Sequence, residues 1–206
     1  MSMMSLSRAG VRGIIMGASI MTGFGALWAL SSAVGAAGSA STLLLVVVLA
    51  VVASLIVAIV HLWQQSGALP SFRSSDEGAY WQKTGKWFGL VFTIEVLAIF
   101  VASRLLSLSA HTLLIPSVIA LIVGLHFLPL AALFRVGVYY GTGAVMSLLA
   151  LVCIVALVLG VHLGEASLVA WSSIVGMGSA VILWGTALWI VVQGHQLLRQ
   201  AGVLSH

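Results

Sequence analysis

Along this chain, apolar residues run in six long stretches, approximately Val11–Ser31, Thr42–Trp63, Trp87–Leu106, Leu113–Leu133, Gly143–His162 and Val169–Val192. At 1.5 Å rise per residue, about 20 helical residues cross a hydrocarbon layer of about 30 Å, and each stretch is long enough. The second, containing TLLLVVVLAVVASLIVAIV, is interrupted only by small hydroxyl residues. Strict alternation of polar and apolar positions is absent, which argues against a transmembrane barrel. The pattern predicts an all-α polytopic membrane protein, a six-helix transmembrane bundle forming one domain over residues 1–206.

Composition removes the main competitor, a soluble protein with buried apolar helices. Hydrophobic residues make up 62% of the 206 positions and charged residues 6%, with a mean hydropathy of +1.23. A soluble domain carries about 25% charged residues, and a water-facing surface cannot be assembled from so few. The formal charge of +4 is dispersed along the chain, so no nucleic-acid-binding patch is expected. The single cysteine, Cys153, lies in an apolar run and excludes an intrachain disulfide. The first stretch, preceded by Arg8 and Arg12 and followed by SSAVGAAGSA, has the parts of a secretory signal peptide. Its apolar run exceeds the usual 7 to 15 residues of such a leader, which favours a retained span.

Charge also gives the orientation. With the N-terminus inside, Arg8, Arg12, Arg73, Lys83, Lys86, Arg135 and Arg199 fall on the cytoplasmic side and only Arg104 on the other. This bias predicts an N-in, C-in topology. Trp63, Trp81, Trp87, Tyr139 and Tyr140 are expected near the inner boundary and Trp171 near the outer one, whereas Trp184 reads as packed between helices. Residues 64–86, rich in Ser, Gly and Pro, are expected to form an irregular cytoplasmic loop, with AYWQKTGKW as a short interfacial helix leading into the third span. The other connections are short and predict antiparallel neighbours.

Lipid supplies no hydrophobic drive between helices, so small residues mark candidate contacts. Gly13 and Gly17, Gly85 and Gly89, and Gly137 and Gly141 have four-residue spacing. An Ala-Leu-Trp pattern shared by the first and last spans, TGFGALWAL and WGTALWIVV, hints at an internal duplication. Pro129 within the fourth span predicts a kink that frees the carbonyl of Leu125.

Polar groups inside the spans are the candidate chemistry. Glu95 lies eight positions beyond Trp87, roughly 12 Å into the third span, and His126 lies eight positions before Phe134 on the oppositely directed fourth span. The two therefore share one depth, and a carboxylate there must find a partner, face the bundle or carry a proton. Ser19, Thr22 and Thr186 fall at similar depths, so ligand or proton binding is expected at Glu95, His126, Thr22 and Thr186. His61, Arg135 and His195 are candidates for a cytoplasmic entrance. His111, His162 and Glu165 are weak candidates for a metal site, without a ligand motif to support them.

No phosphate-binding loop, dinucleotide fingerprint, nucleophile elbow or zinc-protease motif occurs, and no cofactor is specified. The segment GLHFLPLAALFRVGVYYGTG, Gly124 to Gly143, resembles part of an uncharacterised family of bacterial inner-membrane proteins. The resemblance implies a multi-pass protein of the bacterial inner membrane and carries no residue role. Three functions are compatible with these features: a proton-coupled transporter of a small solute or ion using the Glu/His pair, a membrane-embedded lipid-, quinone- or haem-binding protein or enzyme, and a structural or accessory subunit. Membrane lipids are the expected partners, beside a small solute or apolar ligand, and oligomerisation is compatible with the sequence.

Overall fold

A computed structural model describes residues 7–33, 39–67, 69, 75–161, 167–200 and 202. Six helices account for nearly all of them: α1 (Arg8–Ala33), α2 (Ser39–Ser66), α3 (Ser75–Leu108), α4 (Ile115–Phe134), α5 (Val138–Val158) and α6 (Ser167–Gln200), with a 3-10 turn at Thr112–Leu114 before α4. All six are long and apolar enough to span a membrane. The chain is a polytopic membrane bundle, as the apolar pattern predicts.

α1 and α6 form the centre and pack on each other more extensively than any other pair. They run antiparallel, since Ile14 meets Gly194, Gly17 meets Ile190, Gly25 meets Trp184 and Trp28 meets Gly176. A leader cleaved after the first span would therefore strip α6 of its principal partner. The α4–α5 hairpin is the second tight unit, joined to the centre through α5 and α6. α2 lies against α1 and α6, and α3 packs principally on α4. Buried positions recur at helical spacing, as in Val11, Ile14, Ala18 and Met21 of α1 and Leu183, Ala187 and Val191 of α6. The outward faces are apolar too: Leu43, Val46, Val57, Leu97, Phe100 and Leu148 are all exposed. A surface of that kind is stable only against acyl chains.

Several boundaries differ from the sequence reading. Ser75–Gly78, expected as irregular loop, is helical, and the short helix expected at Ala79–Trp87 runs unbroken into the third span, so α3 extends well past the hydrocarbon thickness. The fifth span begins at Val138, five residues earlier than expected. Arg135 takes a left-handed conformation (φ 56°, ψ 37°) that closes α4, and the chain reverses within Arg135–Gly137. Tyr139, expected at the boundary, is consequently buried between Phe127, Phe134 and Gly17. α5 ends on Gly160 (φ 64°), where Val161 N–H donates to Ala156 and Gly160 N–H to Leu157, the paired bonds of a Schellman cap. α3 ends in the same geometry on Ala110 (φ 59°), with His111 N–H donating to Leu106.

Only part of the predicted small-residue contacts form. Gly13 lies under the Trp81 ring and Gly17 under the Tyr139 hydroxyl, but Gly85, Gly89, Gly137 and Gly141 face open space. Among the described glycines, the tightest approach to a neighbouring helix's backbone is at Gly124 and Gly143, where a Cβ on Gly143 would lie 2.6 Å from the Gly124 carbonyl oxygen. Pro129 stays within one helix, α4, and both Pro129 and Leu125 are exposed on its outward face. The proposed duplication gains nothing from the setting of its tryptophans, since Trp28 is half-buried whereas Trp189 is exposed.

Three stability outcomes follow. Gly143→Ala is expected to destabilise the protein by about 1–3 kcal/mol, because a backbone carbonyl cannot move aside like a side chain, whereas Gly141→Ala should be neutral or stabilising by about 0.5–1 kcal/mol. Ala110→Gly should stabilise by about 1 kcal/mol by relieving the left-handed alanine. Denaturant or thermal unfolding in detergent measures all three.

Candidate functional site

A cleft of about 360 Å³ lies between α1 and α3, closed behind by α4. It exists because α3 is held against α4 and approaches α1 mainly where Trp81 crosses Gly13. On α3, Trp81, Thr84, Phe88, Phe92 and Glu95 form one helical stripe along it, and on α1, Arg12, Met16, Ile20 and Phe24 form the facing stripe. Met16 and Phe24 line the cleft while 61% and 42% exposed, so it opens sideways on the bundle surface. The lining is dominated by aliphatic and aromatic side chains, with few polar groups, the composition of an apolar-ligand pocket.

Glu95 and His126 meet at its deep end. His126 Nδ1 is 3.4 Å from Glu95 Oε2, and each side chain is 9% exposed. Both lie near the middle of their helices, so the pair is set at mid-depth, as the matching offsets from the inner boundary predict. The contact is within ion-pair reach but lacks hydrogen-bond alignment, leaving His126 Nδ1 buried without a hydrogen-bond partner. Whether the proton sits on carboxyl or imidazole, the pair carries no net charge, which is what makes it tolerable in hydrocarbon. It offers both a donor and an acceptor to a polar group entering the cleft.

The two threonines expected beside the pair are elsewhere. Thr22 donates to the Ala18 carbonyl, and its own carbonyl accepts from Trp184 Nε1 at 3.2 Å. Thr186 shares a 2.7 Å hydrogen bond with Thr142 and also donates to Ile182. Neither lines the cleft. Ser19 is satisfied by the Ile15 carbonyl. A hydroxyl in an apolar helix takes the nearest backbone carbonyl, one turn back, before reaching into a cavity.

His61 and His195 come together at the end of α2 and α6, and Arg135 does not join them. His195 Nδ1 lies 3.0 Å from the Val191 carbonyl, so that nitrogen donates. In the neutral ring Nε2 then accepts from His61 Nδ1 at 3.2 Å, and His61 Nε2 accepts from Gln65 Nε2 at 2.9 Å. The 5.5 Å between ring centroids is spanned by that N···N contact and the two ring radii, so the rings meet edge to edge, nearly coplanar at 19°, and do not stack face to face. Arg135 instead lies over Tyr80, 5.2 Å from its centroid, and lines a second cavity of about 450 Å³ with Trp189 and Gln193. Among the described residues, no three metal-ligating side chains cluster. His111 is exposed before the 3-10 turn, and His162 and Glu165 lie outside the described residues.

The aromatic lining of the cleft, Phe88, Phe92, Phe127 and Tyr139, and the place of Thr84 in it are not found by reading polar residues alone; the one available signal is the spacing of Trp81, Thr84, Phe88 and Glu95 on a single face. Fold and site together define a multi-pass, all-helical membrane protein with a buried His–Glu pair beside a lateral apolar cleft. Comparison with protein-family models, with characterised proteins and with solved structures gives no match, so no role comes from a relative.

His126→Ala is expected to cost about 1–3 kcal/mol by leaving Glu95 without its partner. In a double-mutant cycle with Glu95→Gln, measured by unfolding in detergent, the coupling should exceed about 0.5 kcal/mol; additive effects would show that the two groups do not interact.

Proposed function

We propose that the protein binds an amphiphilic, lipid-like molecule taken laterally from the membrane into the apolar cleft, whose deep end the Glu95–His126 pair closes. The observation that carries this reading is the apolar lining of a sideways-open cleft with one donor–acceptor pair at its base. A route for a hydrated solute would need polar walls, and the threonines expected to supply them are bonded elsewhere. Proton-coupled transport is the second reading, favoured by the mid-depth position of a pair that can exchange a proton. It requires flux into proteoliposomes that depends on pH and is lost in Glu95→Gln.

The basic residues support a setting for this activity. Arg8, Arg12, Lys83, Lys86, Arg135 and Arg199 lie on the ends of α1, α3, α4 and α6 that share one side of the bundle, and Arg104 is at the other. That distribution supports a cytoplasmic location for both chain ends and for the α2–α3 connection. A bacterial inner membrane is the setting implied by the resemblance of Gly124–Gly143.

The test is extraction of the full chain in native lipid discs, followed by solvent extraction, mass spectrometry and an absorption spectrum for quinone or haem. Wild type should retain a defined amphiphile, and Gly85→Phe, which projects a ring into the cleft from a position with open space around it, should lose it. Equal retention by wild type and Gly85→Phe would overturn the reading.

A further inference from the structure

The shallow end of the cleft carries its own unsatisfied chemistry. Thr84 lines it while only 3% exposed. Trp81 lines the same end, and its indole N–H is buried without an acceptor. Arg12 faces them from α1; its guanidinium rests 5.3 Å from the Trp63 ring centre and makes no ion pair among the described residues. A contact with a ring face leaves the guanidinium N–H groups free to bond. The one acidic side chain described in the molecule, Glu95, is 11 residues farther along α3, about 16 Å away along the helix axis.

A cation, a hydroxyl and an indole N–H, the last buried and unpaired, call for an acceptor-rich anion. A buried donor left unpaired is costly, whereas a phosphate oxygen satisfies such donors with charge-assisted bonds. The source of that phosphate follows from what adjoins it. Beyond Thr84 the cleft is lined by Met16, Phe88, Phe92 and Ile20, surfaces that suit an acyl chain and offer nothing to a free ion. Resting on the reading of the cleft as an amphiphile site, we infer that its occupant is an anionic phospholipid. The phosphate headgroup is held by Arg12, Trp81 and Thr84, and one chain runs down the cleft toward Glu95 and His126.

Delipidated full-length protein in non-ionic detergent, titrated by native mass spectrometry with phosphatidylglycerol, with phosphatidylcholine of the same chains and with inorganic phosphate, tests this. Wild type should prefer phosphatidylglycerol by about tenfold, and Arg12→Gln should bring that preference close to unity. Thr84→Val, which keeps the shape, should weaken phosphatidylglycerol several-fold, while Lys86→Gln, a basic residue at the same end but outside the cleft lining, should change nothing. An undiminished preference in Arg12→Gln overturns the inference, as does displacement of the lipid by millimolar inorganic phosphate, which would mark a free-anion site. Equal binding of both lipids, abolished by Gly85→Phe, overturns the headgroup assignment and leaves the cleft reading standing. No retention of either lipid by wild type removes both.

Discussion

The contact of α1 with α6 is the constraint on which the other helices depend. Gly25 lets the Trp184 ring lie directly on the α1 backbone, where its N–H donates to the Thr22 carbonyl. A bulky residue at position 25 would push the helices apart and leave that indole donor unpaired. In lipid, burying apolar surface against a neighbour gains little over burying it in acyl chains, so such close fit and occasional hydrogen bonds supply the association energy. The Thr142–Thr186 bond between α5 and α6 and the His61–His195 bond between α2 and α6 extend the same logic outward from the centre.

The cleft is what this arrangement leaves open. With α4 and α5 locked together at Gly124 and Gly143 and joined to the centre through α5, the helix that leans on α4 is carried away from α1. Trp81 closes the gap at one end, and Glu95 and His126 occupy the other. The polar pair is therefore both an α3–α4 fastening and the floor of a cavity, and the fastening alone does not require the open space beside it. A His–Glu pair used purely as a clasp would be expected with its hydrogen bonds completed, whereas His126 Nδ1 has none.

The two ends of the cleft differ in chemistry for a reason set by depth. At the boundary, Arg12 can keep a full charge near water and headgroups, held against Trp63. At mid-depth, a lone charge is too costly, and only a self-neutralising pair persists. An amphiphile has this same gradient along its length, which is the physical ground for relating the cleft to such a molecule.

Hydropathy by itself determined the number of helices and their membrane-spanning character, since the transfer of about 20 apolar residues into hydrocarbon is a local property of each segment. It also determined the common depth of Glu95 and His126, because helical rise converts residue number into depth. Which faces meet was left to tertiary packing. α1 through α6 are apolar on nearly every side, so no amphipathic stripe distinguishes a neighbour from lipid, and the choice falls to sites such as Gly25, Gly124 and Gly143, whose value depends on what lies opposite. For the same reason Thr22 and Thr186 could be assigned a depth but not a direction: a hydroxyl's preference for its own helix backbone or a neighbouring threonine decided that they turn away from Glu95.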